Sequence, residues 1–129
     1  MRVKRWSVGS TSRRLARHLE CRVTVRLELG GIFFEWDLEK AWINNLKHGV
    51  DFREAATTFL DPGSKARRDD GHSESEERWT LIGISKFGRV LTSSYTYRDR
   101  WLRIIGCRTA NARERHEYAP RRRRRRRHS

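Results

Sequence analysis

Cysteine is nearly missing from this chain: Cys21 and Cys107 are the only two in 129 residues. They form no CxxC and stand near no histidine cluster, so no zinc site is signalled. Cys107 falls in a strand pattern and reads as a reduced, buried thiol, the common state of free cysteine. Long apolar runs are lacking too. None approaches the roughly 20 residues that a membrane helix needs, and no signal-peptide apolar core follows the basic N-terminus. The expectation is a cytoplasmic protein with no membrane partner. Proline is limited to Pro62 and Pro120, each placed where a helix would stop. No P-loop, dinucleotide fingerprint, Ser/His/Asp arrangement, metal constellation or internal repeat is visible, so no cofactor and no metal are expected.

Acids are outnumbered, 16 against 30 basic residues, for a net charge of +14. Placement matters more than the total. Residues 1–31 carry +6, the run Arg121 to Arg127 carries +7, and residues 32–120 carry only +1. The high pI thus belongs to the ends and is weak evidence that the fold itself binds nucleic acid. The organisation expected is a basic, loosely ordered extension over 1–31, one small domain over 32–120, and a disordered polyarginine tail over 121–129. Cys21–Leu29 nevertheless alternates Val23, Val25, Leu27 and Leu29 against Arg22, Thr24, Arg26 and Glu28, a strand pattern that Gly30-Gly31 ends. An upstream start codon not normally used would explain the extension; peptide mapping of the natural N-terminus tests that.

The most informative stretch is Phe33 to Val50, FFEWDLEKAWINNLKHGV. Residues 32–36 read as an edge strand. Asp37 stands at an N-cap, where its carboxylate can accept a backbone N–H. Leu38, Ala41, Trp42 and Leu46 recur at helical spacing and share one face. Gly49 suits a left-handed C-cap, and Lys47 and His48 place positive charge in the last turn. A second helix is expected over 52–60, with Asp51 and Glu54 at capping-box spacing and Phe52, Ala55, Ala56 and Phe59 as its apolar face.

Lys65 to Arg68 has the makings of a short strand, and the polar loop after it holds His72. A solvated loop histidine is the simplest reading there. Arg78–Ser85, Arg89–Tyr97 and Trp101–Arg108 then alternate as an antiparallel meander. On the last strand Trp101, Arg103, Ile105 and Cys107 fall on one face, and Leu102, Ile104, Gly106 and Arg108 on the other. Both faces carry apolar residues, so this strand is expected to be central. Asn111 and Glu114 predict a capped helix to about Tyr118. The class is α+β, with helices gathered on a largely antiparallel twisted sheet.

The side chains left for chemistry are basic and hydroxylic: Lys47, His48, Arg78, Tyr95, Tyr97, Arg103 and Arg108. Such a set suits metal-free RNA cleavage. That reaction needs a base for the ribose 2′-OH, cations beside a dianionic phosphorane, and an acid for the leaving 5′-oxygen. Plainer readings stand beside it. His48 completes a helix dipole, Arg103 lies on a solvated face or pairs with an acid, and the tyrosines pack in the sheet.

The motifs also resemble a known family. Phe34-Glu35-Trp36-Asp37, then Lys40, Ala41, Asn44 and Lys47-His48-Gly49-Val50, look like the opening of BrnT-type toxins of bacterial toxin–antitoxin pairs. Phe52-x-Glu54-Ala55-Ala56 with Asp61-Pro62 is similar to that family's second helix. His72-Ser73-x-x-Glu76-Glu77-Arg78 resembles its HSxxEER segment, with Gly83 in the following strand and Arg89, Leu91 and Thr96 in the next. Arg103-Ile104-Ile105-x-x-Arg108, Glu114-Arg115 and Tyr118 resemble its ending. The resemblance spans about residues 33–118. It departs at Gly106-Cys107, where Ser-Ala is usual, and at Tyr95, where histidine is frequent.

The resemblance implies a small RelE-like fold, with two N-terminal helices and one C-terminal helix packed on the twisted sheet. It implies a metal-independent endoribonuclease that halts translation and growth. The implied partners are RNA, a BrnA-like ribbon-helix-helix antitoxin, and operator DNA reached through that antitoxin. The catalytic candidates are His48, Lys47, Glu77, Arg78, Arg103 and Arg108, and the RNA-binding candidates are Tyr95, Tyr97 and Arg100. The alternative is a non-catalytic or decayed toxin fold that binds nucleic acid through its basic ends or inhibits another target such as gyrase.

Overall fold

The computed structural model describes residues 22–69 and 76–127. Cys21, His72 and most of the N-terminal extension lie outside the described residues.

Six strands form one sheet. They are β1 (Thr24–Leu29), β2 (Ile32–Asp37), β3 (Lys65–Arg68), β4 (Trp79–Ile84), β5 (Val90–Arg98) and β6 (Trp101–Thr109). Their order is β1-β2-β6-β5-β4-β3. Neighbours run antiparallel except β2 and β6, which pair parallel through Phe34↔Leu102 and Glu35↔Arg103. The α+β class and the central place of β6 are as expected. Two expectations are corrected. The domain does not begin at residue 32, because β1 pairs with β2 along its whole length. For the same reason β2 is an interior strand and β1 is the edge. Val25, Leu27 and Leu29 lean on the core while Arg26 and Glu28 stay exposed, so the alternation already seen in this segment is what places it in the sheet.

Three helices complete the fold among the described residues: α1 (Leu38–His48), α2 (Phe52–Thr57, extended by a 3-10 turn, Thr58–Leu60) and α3 (Ala112–Arg127). Asp37 caps α1 by accepting from the Glu39 N–H at 3.2 Å, and Gly49 ends it at φ +68°. Asp51 caps α2, accepting from the Arg53 N–H at 2.8 Å. Glu54 does not close the capping box. It turns inward and takes a forked ion pair from Arg89 (2.6 and 2.9 Å) and the Ser85 hydroxyl at 2.7 Å. Asn111 and Glu114 do form the reciprocal box, at 2.8 and 2.9 Å. The expected stop of α3 at Pro120 is not observed, and the helix continues through the arginine run to Arg127. Proline removes one ladder hydrogen bond, but arginine is a good helix former.

The core lies between the sheet and α2. Phe34, Trp36, Phe52, Leu91, Ala55 and Ala56 are buried there. Trp36 meets Phe52 edge-on at 6.0 Å, and Phe34 meets Phe59 at 5.3 Å. Each such side chain contributes roughly 2–3 kcal/mol of burial. The 3-10 turn lies so close to β4 that a Cβ on Gly83 would come within 2.9 Å of the Thr58 carbonyl oxygen. Glycine is needed there for close approach rather than for a turn.

Helix α1 departs from the usual amphipathic arrangement. Only Asn44 is buried. Its amide accepts from the Cys107 N–H (3.1 Å) and donates to the Cys107 carbonyl (2.8 Å), standing in for a strand where β2 has ended. The apolar stripe Leu38, Trp42 and Leu46 turns to solvent, with Trp42 65% and Leu46 70% exposed.

One irregularity reorganises the functional face. Ser94 pairs with Gly106, but Tyr95 pairs with Ile104, so Ile105 is an extra residue in β6. Beyond this bulge the alternation inverts. Leu102, Ile104 and Cys107 all point to the core, and Trp101, Arg103 and Arg108 share the opposite face. The assignment of Arg103 and Arg108 to opposite faces is therefore corrected.

Candidate active site

Among the described residues, the face of the sheet away from α2 is covered only in part. Helix α3 crosses the β3–β4 side, tied by Arg67–Glu117 (2.7 Å) and by Glu114, which binds Thr92 and Arg108. Among the described residues no helix covers the other half of that face, over β1, β2 and the start of β6.

A row of side chains crosses the open half in register: Arg26 on β1, Glu35 on β2, Arg103 on β6 and Thr96 on β5. Arg78 precedes Trp79, the partner of Tyr95, and so continues the row beside Thr96. Glu35 is 4% exposed and sits between two guanidinium groups. Its Oε1 accepts from Arg26 Nε at 3.2 Å, and its Oε2 from Arg103 Nη1 at 3.1 Å. Arg103 itself is mostly covered, whereas Arg26 is exposed. Burying one carboxylate between two arginines fixes the planes of both, since a guanidinium donates in a rigid fork.

Around this pair lies a groove of about 470 Å³, lined by Arg22, Thr24, Arg26, Glu35, Lys40, Arg98, Asp99, Trp101 and Arg103. Five cationic side chains face two carboxylates there. One end is aromatic. Phe33 and Trp101 meet edge-on at 5.6 Å, the Arg26 guanidinium lies 4.3 Å from the Trp101 ring centre, and that of Arg100 lies 5.4 Å from the Phe33 ring centre. The arrangement can hold a polyanion along the cations while presenting aromatic surface beside it.

The residues expected from sequence are only partly brought together. Arg103 lies in the groove, Arg100 at its aromatic end, and Arg78 in the same cross-sheet row. Glu77 sits next to that row: its carbonyl accepts from the Thr96 hydroxyl, while its carboxylate pairs with Arg68 at 3.2 Å. Lys47 and His48 are exposed at the far end of α1. Eight residues separate His48 from Lys40, about 12 Å along the helix, so neither lines the groove. Arg108 shares the face but is engaged by Glu114 at 2.8 and 3.0 Å. That fork holds the Glu114 carboxyl down at about 2 and raises Arg108 further. Arg108 therefore fastens α3 to the sheet.

Tyr95 as an RNA contact is corrected. It is 5% exposed on the α2 side, edge-on to Phe59 at 5.0 Å, and burial pushes its phenol up to about 12. Tyr97 is exposed, but its place in β5 puts it on the same side as Tyr95, away from the groove. Sequence reasoning did not single out Arg26, Glu35, Lys40, Arg98 and Trp101, which line the groove. Glu35 and Lys40 stood inside the recognised motif, and the alternation of residues 21–29 already put Arg26 on the polar side.

No helix among the described residues is long and apolar enough to cross a membrane. The fold is similar to the crystal structure of the Brucella abortus ribonuclease toxin BrnT, at 22% identity and a TM-score of 0.47, covering 59% of this chain and 92% of that one. No curated protein matches the chain in sequence. The family model described as the ribonuclease toxin BrnT of type II toxin–antitoxin systems matches residues 36–114, more than half of the chain. The protein belongs to the BrnT family of toxins.

Proposed function

We propose that this protein is a metal-independent endoribonuclease toxin whose reaction takes place in the Glu35–Arg103 groove. The observation that carries the reading is the buried carboxylate held between two arginines within a cation-lined cleft. Arg103, Arg98, Arg26 and Lys40 bind the phosphate and stabilise the charge that grows on it at the phosphorane, the work that oriented cations do best in a partly dry site. Glu35 accepts the 2′-OH proton as the O2′–P bond forms. Lys40 donates a proton to the 5′-oxygen as the P–O5′ bond breaks, leaving a 2′,3′-cyclic phosphate and a 5′-hydroxyl. Translation stops as message is lost, in the cytoplasm.

The partner in this reading is a BrnA-like ribbon-helix-helix antitoxin that carries the pair to operator DNA. Support for a protein partner comes from α1. Val23, Leu38, Trp42, Ile43 and Leu46 are all about half exposed or more. Val23, Leu38 and Trp42 line a shallow groove of about 380 Å³. Arg22, Asp37 and Glu39 supply the charges around that groove, so the segment that covers it presents an apolar face to the stripe.

The test is RNA cleavage by the full chain in EDTA, beside Glu35→Gln. The expected result is cyclic-phosphate ends from the parent and on the order of a 100-fold loss in the variant. Equal rates in the two would remove Glu35 from the chemistry. Dependence on added metal would overturn the metal-free mechanism.

A further inference from the structure

The aromatic end of the groove has no part in the phosphate chemistry, yet it is tied to it. Parallel pairing sets Phe34 opposite Leu102, so Phe33 and Trp101 lie side by side one step along the strands from Glu35 and Arg103. Two residues of strand separate the rows, about 7 Å, within the reach of a single nucleotide. Phe33 is 38% exposed, whereas its neighbours Phe34 and Trp36 on β2 are buried. Arg26 joins the two rows, since its guanidinium bonds Glu35 and covers the Trp101 ring at 4.3 Å. The Arg100 guanidinium lies over the Phe33 ring at 5.4 Å. The surface is thus a composite of two rings and two guanidinium planes, and both kinds of plane stack on nucleobases.

We propose that Phe33 and Trp101, with Arg26 and Arg100, form the seat for an unpaired base of single-stranded RNA while the adjoining phosphate lies on the groove's cations. This rests on the nuclease reading and adds a positioning role to it. Duplex RNA is excluded as the preferred ligand, because its bases are stacked on one another and cannot splay out onto a ring at a sheet surface. A base seated there holds its own ribose beside the Glu35–Arg103 row. The seat is indifferent to base identity to the extent that stacking is, because every base has a π-face.

The test measures binding rather than cleavage, so its failure is distinct from failure of the nuclease reading. The probes are a fluorescent 2′-O-methyl oligouridine, the same ribose–phosphate strand without bases, and a 2′-O-methyl duplex, all at one salt concentration. The proteins are the full chain, Phe33→Leu/Trp101→Leu, and the conservative Phe33→Tyr/Trp101→Phe. The full chain is expected to prefer the base-bearing strand by about tenfold or more, the yield of one stacked base. The leucine pair is expected to lose that preference while binding the abasic strand and the duplex as before. The conservative pair is expected to keep it. Equal affinity of the full chain for base-bearing and abasic strands overturns the proposal. So does a preference that survives in the leucine pair, or an equal weakening on every probe. If RNA cleavage fails but the base preference follows the rings, the seat stands and the nuclease chemistry falls.

Discussion

Arg103 Nη1 lies 3.1 Å from Glu35 Oε2, and the two residues are direct partners in the parallel pairing of β2 and β6. The pair is largely covered: the side chains are 17% and 5% exposed. Arg103→Ala would leave Glu35 with Arg26 alone. A cost of about 1–3 kcal/mol in stability is expected from the lost charge-assisted bond. RNA cleavage is expected to fall on the order of 100-fold. Arg103→Lys restores the charge but not the fork and should recover stability better than activity. Urea melts and cleavage rates of the two variants check this. A lysine variant with full activity would mean that the guanidinium plane is irrelevant.

His48→Ala and Tyr95→Phe test two of the candidates that the sequence offered. His48 is exposed about 12 Å along α1 from Lys40, and Tyr95 is buried on the other side of the sheet with its phenol raised to about 12. Neither reaches the groove. Both variants should cleave RNA within about twofold of the parent, the usual result of changes away from a site. A 100-fold loss in His48→Ala would place the reaction at the end of α1 instead.

Much of the fold was legible because its signals are local. Asp37, Gly49 and the Asn111–Glu114 box mark helix ends by side-chain chemistry within three residues of the backbone groups they serve. Features set by tertiary register were not legible. The extra residue at Ile105 appears only when β6 is paired with β5, and it alone decides that Arg103 and Arg108 share a face. Helical spacing in α1 identified the stripe Leu38–Trp42–Leu46 but not its direction. Asn44, which anchors the helix to Cys107, reads in sequence as an ordinary polar residue. Glu35 was visible as part of a motif, yet its burial between Arg26 and Arg103 depends on strands far apart in the chain.

The Arg108–Glu114 fork makes a pH signature. The Glu114 carboxyl is held at about 2, chiefly by its hydrogen bonds from Arg108, against roughly 4.3 in an unfolded chain. A carboxylate with a depressed folded value stabilises fully above its unfolded value and loses that contribution as pH falls toward the folded one. Glu114→Gln keeps a capping side chain but removes the charge. The parent should melt at a higher temperature than this variant at pH 6, with the gap closing between about pH 4.5 and 2. Arg108 is partly exposed, so salt should narrow the gap as well. A gap constant across that range would mean that the fork contributes nothing to holding α3.

The stripe on α1 separates partner binding from catalysis. Trp42 and Leu46 are 65% and 70% exposed and lie on the outer side of a helix whose only buried residue is Asn44. Trp42→Glu/Leu46→Glu therefore removes no core contact and should change stability by less than about 1 kcal/mol. RNA cleavage should persist, because neither residue lines the cationic groove. The antitoxin is expected to lose at least about tenfold in affinity, since an exposed aromatic is the kind of anchor that dominates an interface. The introduced carboxylates would also be buried without partners under an apolar segment. Titration calorimetry with antitoxin, beside RNA cleavage by the same two proteins, reads the two effects separately: the variant should bind antitoxin more weakly and cleave at the parental rate. An unchanged titration would move the antitoxin to another surface. The arginine groove itself would then be the first to examine, because a partner seated there must compete with RNA while one on α1 need not.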